Sequence, residues 1–269
     1  MRELSLPLFT GRIQAKFDDS IFLKSISDCH QLLEEPGSQI LLDRRNRVGI
    51  ARLPLKNGKS VEVVIKEFHS RGLQKLKTLF LSSKALKSWQ GAVALVGRGI
   101  ETPFPIAYLE KRKKGFLEQS FFLSERISDI KEIRFLFLEL PEPELRQLLA
   151  ALARFLFSCH EKGILHRDLS DGNILVKKDE RENFHFYLID TNRIRVRRRI
   201  SLLMRIRNLV RLGAPPQFQI FFLEQYLGDL PLKKYLWLWY RLNKRKYFLF
   251  VEFKKKLRLR QLAQKLKIQ

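Results

Sequence analysis

His166-Arg167-Asp168-Leu169-Ser170-Asp171-Gly172-Asn173-Ile174-Leu175-Val176 is followed, after a short gap, by Tyr187-Leu188-Ile189-Asp190. An Asp that orients a substrate hydroxyl and an Asn five residues later that ligates a metal can share one rigid loop. The run Ile174 to Lys178 is apolar and strand-like, Asp179-Glu180-Arg181-Glu182-Asn183 is a polar turn, and Phe184 to Ile189 alternates ring and non-ring side chains. The expected hairpin returns Asp190 beside Asn173. Two hard oxygen ligands on neighbouring strand ends suit Mg²⁺, which takes few protein oxygens and leaves its other positions to phosphate and water. A His-x-Asp taken singly carries little information, and an Asp in a turn is more often a cap or an Asx-turn than a base. The Asp, its Asn, the apolar strand and the second Asp, met in order, are far harder to reach by chance. Asp168 is the candidate catalytic residue, with Asn173 and Asp190 the candidate metal ligands.

Upstream, Val61-Glu62-Val63-Val64-Ile65-Lys66 is a β-branched run that ends in a cation. A Lys at a strand end is usually only solvated. One small lobe's length before Asp168, however, Lys66 is placed to meet the α- and β-phosphates of a nucleotide.

Lys66, Asp168, Asn173 and Asp190 together match the pattern of the protein-kinase-like superfamily. Three stretches are similar, more narrowly, to the bacterial lipopolysaccharide core kinases that phosphorylate Kdo or heptose. They are Ser82 to Pro105 with Gly99-Ile100-Glu101-Thr102-Pro103-Phe104-Pro105, the segment His166 to Val176, and Ile189-Asp190-Thr191-Asn192-Arg193-Ile194-Arg195-Val196-Arg197-Arg198-Arg199. The resemblance implies an α+β, two-lobed protein-kinase-like fold. It has a small, mostly antiparallel β lobe with one main helix and a larger, mainly helical lobe. It also implies ATP and Mg²⁺ as cofactors and transfer of the γ-phosphoryl group to a sugar hydroxyl of the inner core. That acceptor is met at the cytoplasmic face of the inner membrane.

The departures from the protein-kinase pattern are as informative. Leu42-Asp43-Arg44-Arg45-Asn46-Arg47-Val48 holds no glycine where a phosphate-covering loop is expected, which leaves Arg44, Arg45 or Arg47 to substitute by charge or to lie solvated. No acidic residue occurs from Phe68 to Ile100, so the usual Glu partner of the Lys is missing. The enzyme is then constitutive, or another group holds Lys66. Thr191-Asn192 replaces the Phe-Gly pair after the second Asp, no Ala-Pro-Glu segment follows, and Ser170 stands where Ser/Thr protein kinases place a Lys. These changes argue against a peptide substrate and for a small-molecule or glycan hydroxyl.

A chain of 269 residues with 45% hydrophobic content can build one two-lobed domain with a real core. The expected division is an amino-terminal extension over 1–38 packed on the small lobe, the small lobe over 39–125, and the large lobe over 126–269. Phe116 to Leu123 reads as a strand leading to a hinge at Ser124-Glu125-Arg126-Ile127, where Glu125 marks the adenine contact. Leu145, Leu148, Leu149, Leu152, Phe155, Leu156 and Cys159 recur at helical spacing and predict a helix from Pro141 to Gly163 that buttresses the catalytic loop. His160 on that helix reads as packing. Cys29 and Cys159 read as small buried hydrophobes, and their scarcity fits a reducing compartment. The first residues lack the pattern of a secretory signal, and no window reaches the roughly 18 apolar residues of a membrane span.

Charge is strongly polarised: from Thr191 to Gln269, 21 Lys and Arg oppose three acids, which accounts for most of the net +24. An anion should therefore face the carboxyl-terminal part. Aromatics interleaved with cations in Lys233 to Arg241 and Lys244 to Phe250 suit an anionic membrane surface, where rings sit at headgroup depth. Half or more of those rings are expected in the core. Nucleic acid is disfavoured because no recognition motif accompanies the charge. Arg193, Arg195, Arg197, Arg198 and Arg199 are the candidate contacts to a phosphorylated glycolipid or to the membrane. The expected location is cytoplasmic and peripheral, with no obligate protein partner. Rival readings are a protein or soluble-metabolite kinase, or a non-catalytic scaffold that binds membrane or nucleic acid.

Overall fold

The β-branched run that ends in Lys66 is a strand with alternating burial: Val63 and Ile65 point into the core while Val64 and Lys66 face the other side. The computed structural model describes residues 1–43, 46–69 and 78–265. It divides into two units, Met1–Ile130 with His185–Arg195, and Lys131–Phe184 with Val196–Gln269.

Among the described residues, the first unit holds one antiparallel sheet of seven strands: β1 (Arg2–Ser5), β2 (Thr10–Ile13), β3 (Gln39–Asp43), β4 (Asn46–Pro54), β5 (Ser60–Phe68), β6 (Pro105–Lys113) and β7 (Phe116–Glu125). Their lateral order is β1-β2-β6-β7-β5-β4-β3. Short helices α1 (Ser20–Ser25) and α2 (Cys29–Leu32) lie between β2 and β3, and α3 (Lys84–Val96) precedes β6. One apolar cluster joins Ile13, Phe22, Ile26, Cys29 and Leu33 to Val63, Ile65, Leu109, Phe121 and Leu123. A second packs Ala85, Trp89 and Ala92 of α3 on Phe68 and Phe122. Asn57-Gly58 closes the β4–β5 hairpin, with Gly58 at φ +74 and the Lys59 amide donating to Asn57 Oδ1.

Within residues 1–38, Arg2–Ser5 and Thr10–Ile13 are strands of the sheet itself, while the short helices follow them. β2 pairs with β6 from Thr10 opposite Glu110 to Ile13 opposite Ala107. A Cβ at Gly11 would run into the Tyr108 backbone, so the glycine permits the close approach. The unit also ends at Ile130 rather than at 125, and takes back 185–195.

The second unit is mainly helical: α4 (Ile133–Glu139), α5 (Glu142–Glu161), α6 (Leu202–Leu209), α7 (Gln219–Leu227) and α8 (Lys234–Lys265), with short strands β8 (Lys131–Glu132), β9 (Ile164–His166) and β10 (Ile174–Lys178). The periodic leucines make α5 as expected. Pro143 sits in its first turn, Glu142 and Glu144 complement the helix dipole there, and Leu145, Leu148, Leu149, Leu152, Leu156 and Cys159 are buried. Gly163, at φ +73, ends the run and accepts a backbone hydrogen bond from Arg197 at 2.8 Å. An antiparallel unit with one main helix and a mainly helical unit constitute the expected α+β fold class.

Both cysteines are free and buried, and burial pushes the Cys159 thiol up to about 12 and the Cys29 thiol up as well, so each packs as a hydrophobe. No described helix is long and apolar enough to cross a membrane.

Candidate active site

The second unit presents Asp168 and Asn173 on one loop between β9 and β10. Asn173 Nδ2 donates to the Asp168 backbone carbonyl at 2.8 Å, the Asn173 amide donates to Ser170 O at 2.9 Å, and the Ser170 amide donates to Asp168 O at 2.8 Å. These bonds close the loop on itself. With its NH₂ committed inward, Asn173 turns its side-chain oxygen the other way, which is the atom a hard cation needs. The Asp168 amide donates to His166 Nδ1 at 3.2 Å, and the imidazole is buried. His166 therefore supports the loop backbone. The Asp168 carboxylate itself meets Arg211, with Nη2 to Oδ1 at 2.8 Å.

Further hydrogen bonds brace this loop from α5, α6 and α7. Asn208 Nδ2 donates to the His166 carbonyl at 2.9 Å, so its Oδ1 is left to accept from His160 Nε2 at 3.0 Å. That fixes the tautomer: His160 Nδ1 accepts from the Tyr226 hydroxyl at 2.6 Å. Burial lowers the His160 pKa to about 4, with the Asn208 hydrogen bond opposing the shift, and the ring is neutral at pH 7. An unfolded His titrates near about 6.5, so between these values the unfolded chain binds more protons. The His160 contribution is complete above about pH 6.5 and is lost as the pH falls towards 4, by up to about 3 kcal/mol. Urea midpoints should drop between pH 7.5 and 4.5, and the ring should stay neutral by NMR down to pH 5. Titration of His160 near its ordinary value would contradict the buried, neutral arrangement.

In the first unit, Lys66 and Asp190 form an ion pair, and Lys66 Nζ also lies 5.4 Å from the Phe68 ring. Asp190 has left-handed backbone, φ 57 and ψ 43, a conformation that non-glycine residues adopt mainly at turns and functional sites. A 3₁₀ turn over Thr191–Arg193 follows it and is clasped by α3. The Thr191 hydroxyl donates to Ser88 O at 2.8 Å, and a Cβ at Gly91 would collide with the Thr191 carbonyl. Thr102 Oγ1 donates to Leu188 O at 2.7 Å, and the Leu188 amide to Glu101 O at 3.1 Å. The Thr-Asn pair that replaces Phe-Gly therefore ties Asp190 to the helix directly. Asp190, and not a helix Glu, holds Lys66.

A comparison with family models matches residues 75–215, which include the Asp168 loop, Asn173 and Asp190, to the lipopolysaccharide kinase (Kdo/WaaP) family. The chain belongs to that family. It is a kinase, a phosphotransferase of lipopolysaccharide biosynthesis. Among solved structures it is similar to WaaP in complex with acyl carrier protein, at 21% identity and a TM-score of 0.54 over 77% of this chain and 88% of that one, a likeness of fold. No curated protein compared matches the sequence.

The remaining residues read from the sequence fall as follows in this Kdo/WaaP-family kinase. Glu125 ends β7, where its amide donates to Phe104 O at 2.9 Å and its carboxylate pairs with Lys16 at 2.6 Å. Arg44 and Arg45 lie outside the described residues, whereas Arg47 is committed to Glu34 at 3.4 Å and to the Leu33 carbonyl at 3.3 Å. Arg193, Arg195, Arg197, Arg198 and Arg199 are all exposed, the first two in the first unit and the others in the second. Sequence reasoning missed Arg211, Asn208 and Gly91. No local spacing links them to Asp168 or Asp190, and only the three-dimensional contacts reveal them.

Proposed function

We propose that the enzyme transfers the γ-phosphoryl group of ATP to a sugar hydroxyl of the lipopolysaccharide inner core, on Kdo or heptose. The observation that carries this reading is the self-closed loop in which the Asn173 NH₂ is committed to the Asp168 carbonyl and the Asp168 carboxylate is held by Arg211. Asp168 orients the acceptor hydroxyl and takes its proton as the sugar oxygen bonds to the γ-phosphorus. The bond from that phosphorus to the β,γ-bridging oxygen breaks, and ADP leaves with the electron pair. Lys66 anchors the α- and β-phosphates. Asp190 and the Asn173 side-chain oxygen would hold Mg²⁺, whose charge offsets what builds on the phosphoryl oxygens. The adenine edge would be met by backbone groups near Glu125 other than its own amide, which is already bonded to the Phe104 carbonyl.

The test is transfer of labelled γ-phosphate from Mg·ATP to lipopolysaccharide with a defined, dephosphorylated inner core. Label in the Kdo-heptose fragment supports the reading. Label only on added protein or on soluble sugar would move the acceptor to another class.

We further propose that the enzyme works at an anionic membrane surface on the cytoplasmic side. The inner face of α8 is committed to its own unit, with Leu236, Tyr240 and Lys244 buried and Trp239 Nε1 donating to Leu203 O at 2.9 Å. Its outer face leaves Tyr235, Leu238, Leu242, Leu249 and Phe253 exposed, flanked by Arg241, Arg245 and Lys246. An apolar stripe bordered by cations fits lipid headgroups. Replacing Arg197, Arg198 and Arg199 by Gln, together with Leu249→Ser and Phe253→Ser, should lower binding to phosphatidylserine-containing vesicles at least about tenfold at low salt, since each basic residue contributes about 1 kcal/mol there. Unchanged binding would overturn the membrane assignment. WaaP was solved in complex with acyl carrier protein, so a protein partner of that kind belongs to the same reading.

A further inference from the structure

Ser170 leaves no cation on the catalytic loop at the position two residues after Asp168, yet a cation reaches that carboxylate from elsewhere in the chain. Arg211 follows α6 in a segment whose neighbours Val210, Leu212 and Ala214 are all buried, so its backbone has little room to shift. One guanidinium nitrogen, Nη2, meets Asp168 Oδ1 at 2.8 Å, and the other, Nη1, donates to the Arg167 carbonyl at 2.8 Å. The guanidinium carbon lies 5.2 Å from the Tyr247 ring of α8. Lys244, one turn earlier on the same helix and buried, donates to the Leu212 carbonyl at 3.1 Å and to the Tyr240 hydroxyl at 2.9 Å. The planar fork is thus fixed by a carbonyl, a ring and a clipped loop before it touches the carboxylate.

We propose that Arg211 is a positioning residue for phosphoryl transfer, a role that rests on the reading of Asp168 as the base. By binding Oδ1 it fixes the carboxylate plane and leaves Oδ2 as the oxygen that receives the acceptor proton. A carboxylate on a free rotor would spend most of its time misdirected, and a misplacement of about 1 Å costs rate rather than binding. Its effect therefore falls on kcat, with little change in KM for ATP. Tyr247 acts one step further out, as the wall against which the guanidinium lies.

The test uses transfer from Mg·ATP to dephosphorylated inner-core lipopolysaccharide with the full chain. Arg211→Ala and Arg211→Gln should lower kcat at least about tenfold while KM for ATP stays within about threefold, and Arg211→Lys should fall between them and wild type. Added guanidinium should restore part of the Arg211→Ala rate, a readout that a merely structural role would not move. Tyr247→Leu should lower kcat by a few fold, and Arg207→Gln, an exposed neighbour on α6, should leave it unchanged. Activity of Arg211→Gln within about threefold of wild type, or no response of folded Arg211→Ala to guanidinium, would overturn the proposal. Asp168→Asn run in parallel separates the two failures. An active Asp168→Asn enzyme removes the base assignment and this inference with it, whereas an inactive one beside an unaffected Arg211→Gln removes the inference alone.

Discussion

Asp168→Asn is expected to lower kcat for transfer to dephosphorylated inner-core lipopolysaccharide at least about a hundredfold, with nucleotide affinity changed by no more than about threefold. The substitution is close to isosteric. An Asn side-chain oxygen can still accept from Arg211 Nη2, now 2.8 Å from Asp168 Oδ1, and the loop bonds from Asn173 and Ser170 run to the backbone carbonyl, which the substitution does not touch. The proton acceptor alone is removed. Nucleotide binding can be read by fluorescence or calorimetry beside the rate. A variant that turns over within about tenfold of wild type would show that another group takes the proton, since a positioned base typically contributes about 10² to 10⁴.

Asp190 carries the second large effect, because its charge and its backbone can be tested apart. At φ 57 and ψ 43 the position tolerates Asp, Asn or Gly, whereas an Ala there costs roughly 1–2 kcal/mol. Asp190→Asn should therefore fold with a melting temperature near that of wild type, yet lose about a hundred- to a thousandfold in kcat, as expected from several kcal/mol of metal-borne stabilisation. Its residual activity should need more Mg²⁺. Asp190→Ala should lose the same activity and also unfold at lower temperature. If Asp190→Asn keeps both its rate and its Mg²⁺ dependence, Asp190 is not a metal ligand and serves only to hold Lys66.

What could be read in the sequence followed from how local each feature is. Asp168, Ser170 and Asn173 lie within six residues and bond to one another, so their spacing carries their geometry. Lys66 was legible as the polar end of a β-branched run, and α5 as a leucine stripe between Pro141 and Gly163. The family resemblance drawn from Ser82 to Pro105, His166 to Val176 and Ile189 to Arg199 agrees with the match over residues 75–215. Less local features stayed hidden. The missing helix Glu was plain in the letters, but its replacement by Asp190, and by a glycine-to-carbonyl clasp between α3 and Thr191, depends on a packing contact across 100 residues of chain. Arg211 reaches Asp168 in the same non-local way. Strands β1 and β2 are four residues each and rich in charge, too short for alternation to register.

Those two short strands have a practical consequence. β2 covers the hydrogen-bonding edge of β6, and β1 in turn covers β2, so the outermost strand on that side is Arg2–Ser5, brief and charged, with Arg2 paired to Asp18 and Arg12 to Glu3. Trimming the first thirteen residues as a dispensable tail would bare the nine-residue β6, apolar from Pro105 to Leu109, as an open edge, a template for strand addition from neighbouring molecules. Recombinant protein cut that way should precipitate more readily than the full chain, and a low rate measured on it would reflect lost material rather than lost chemistry.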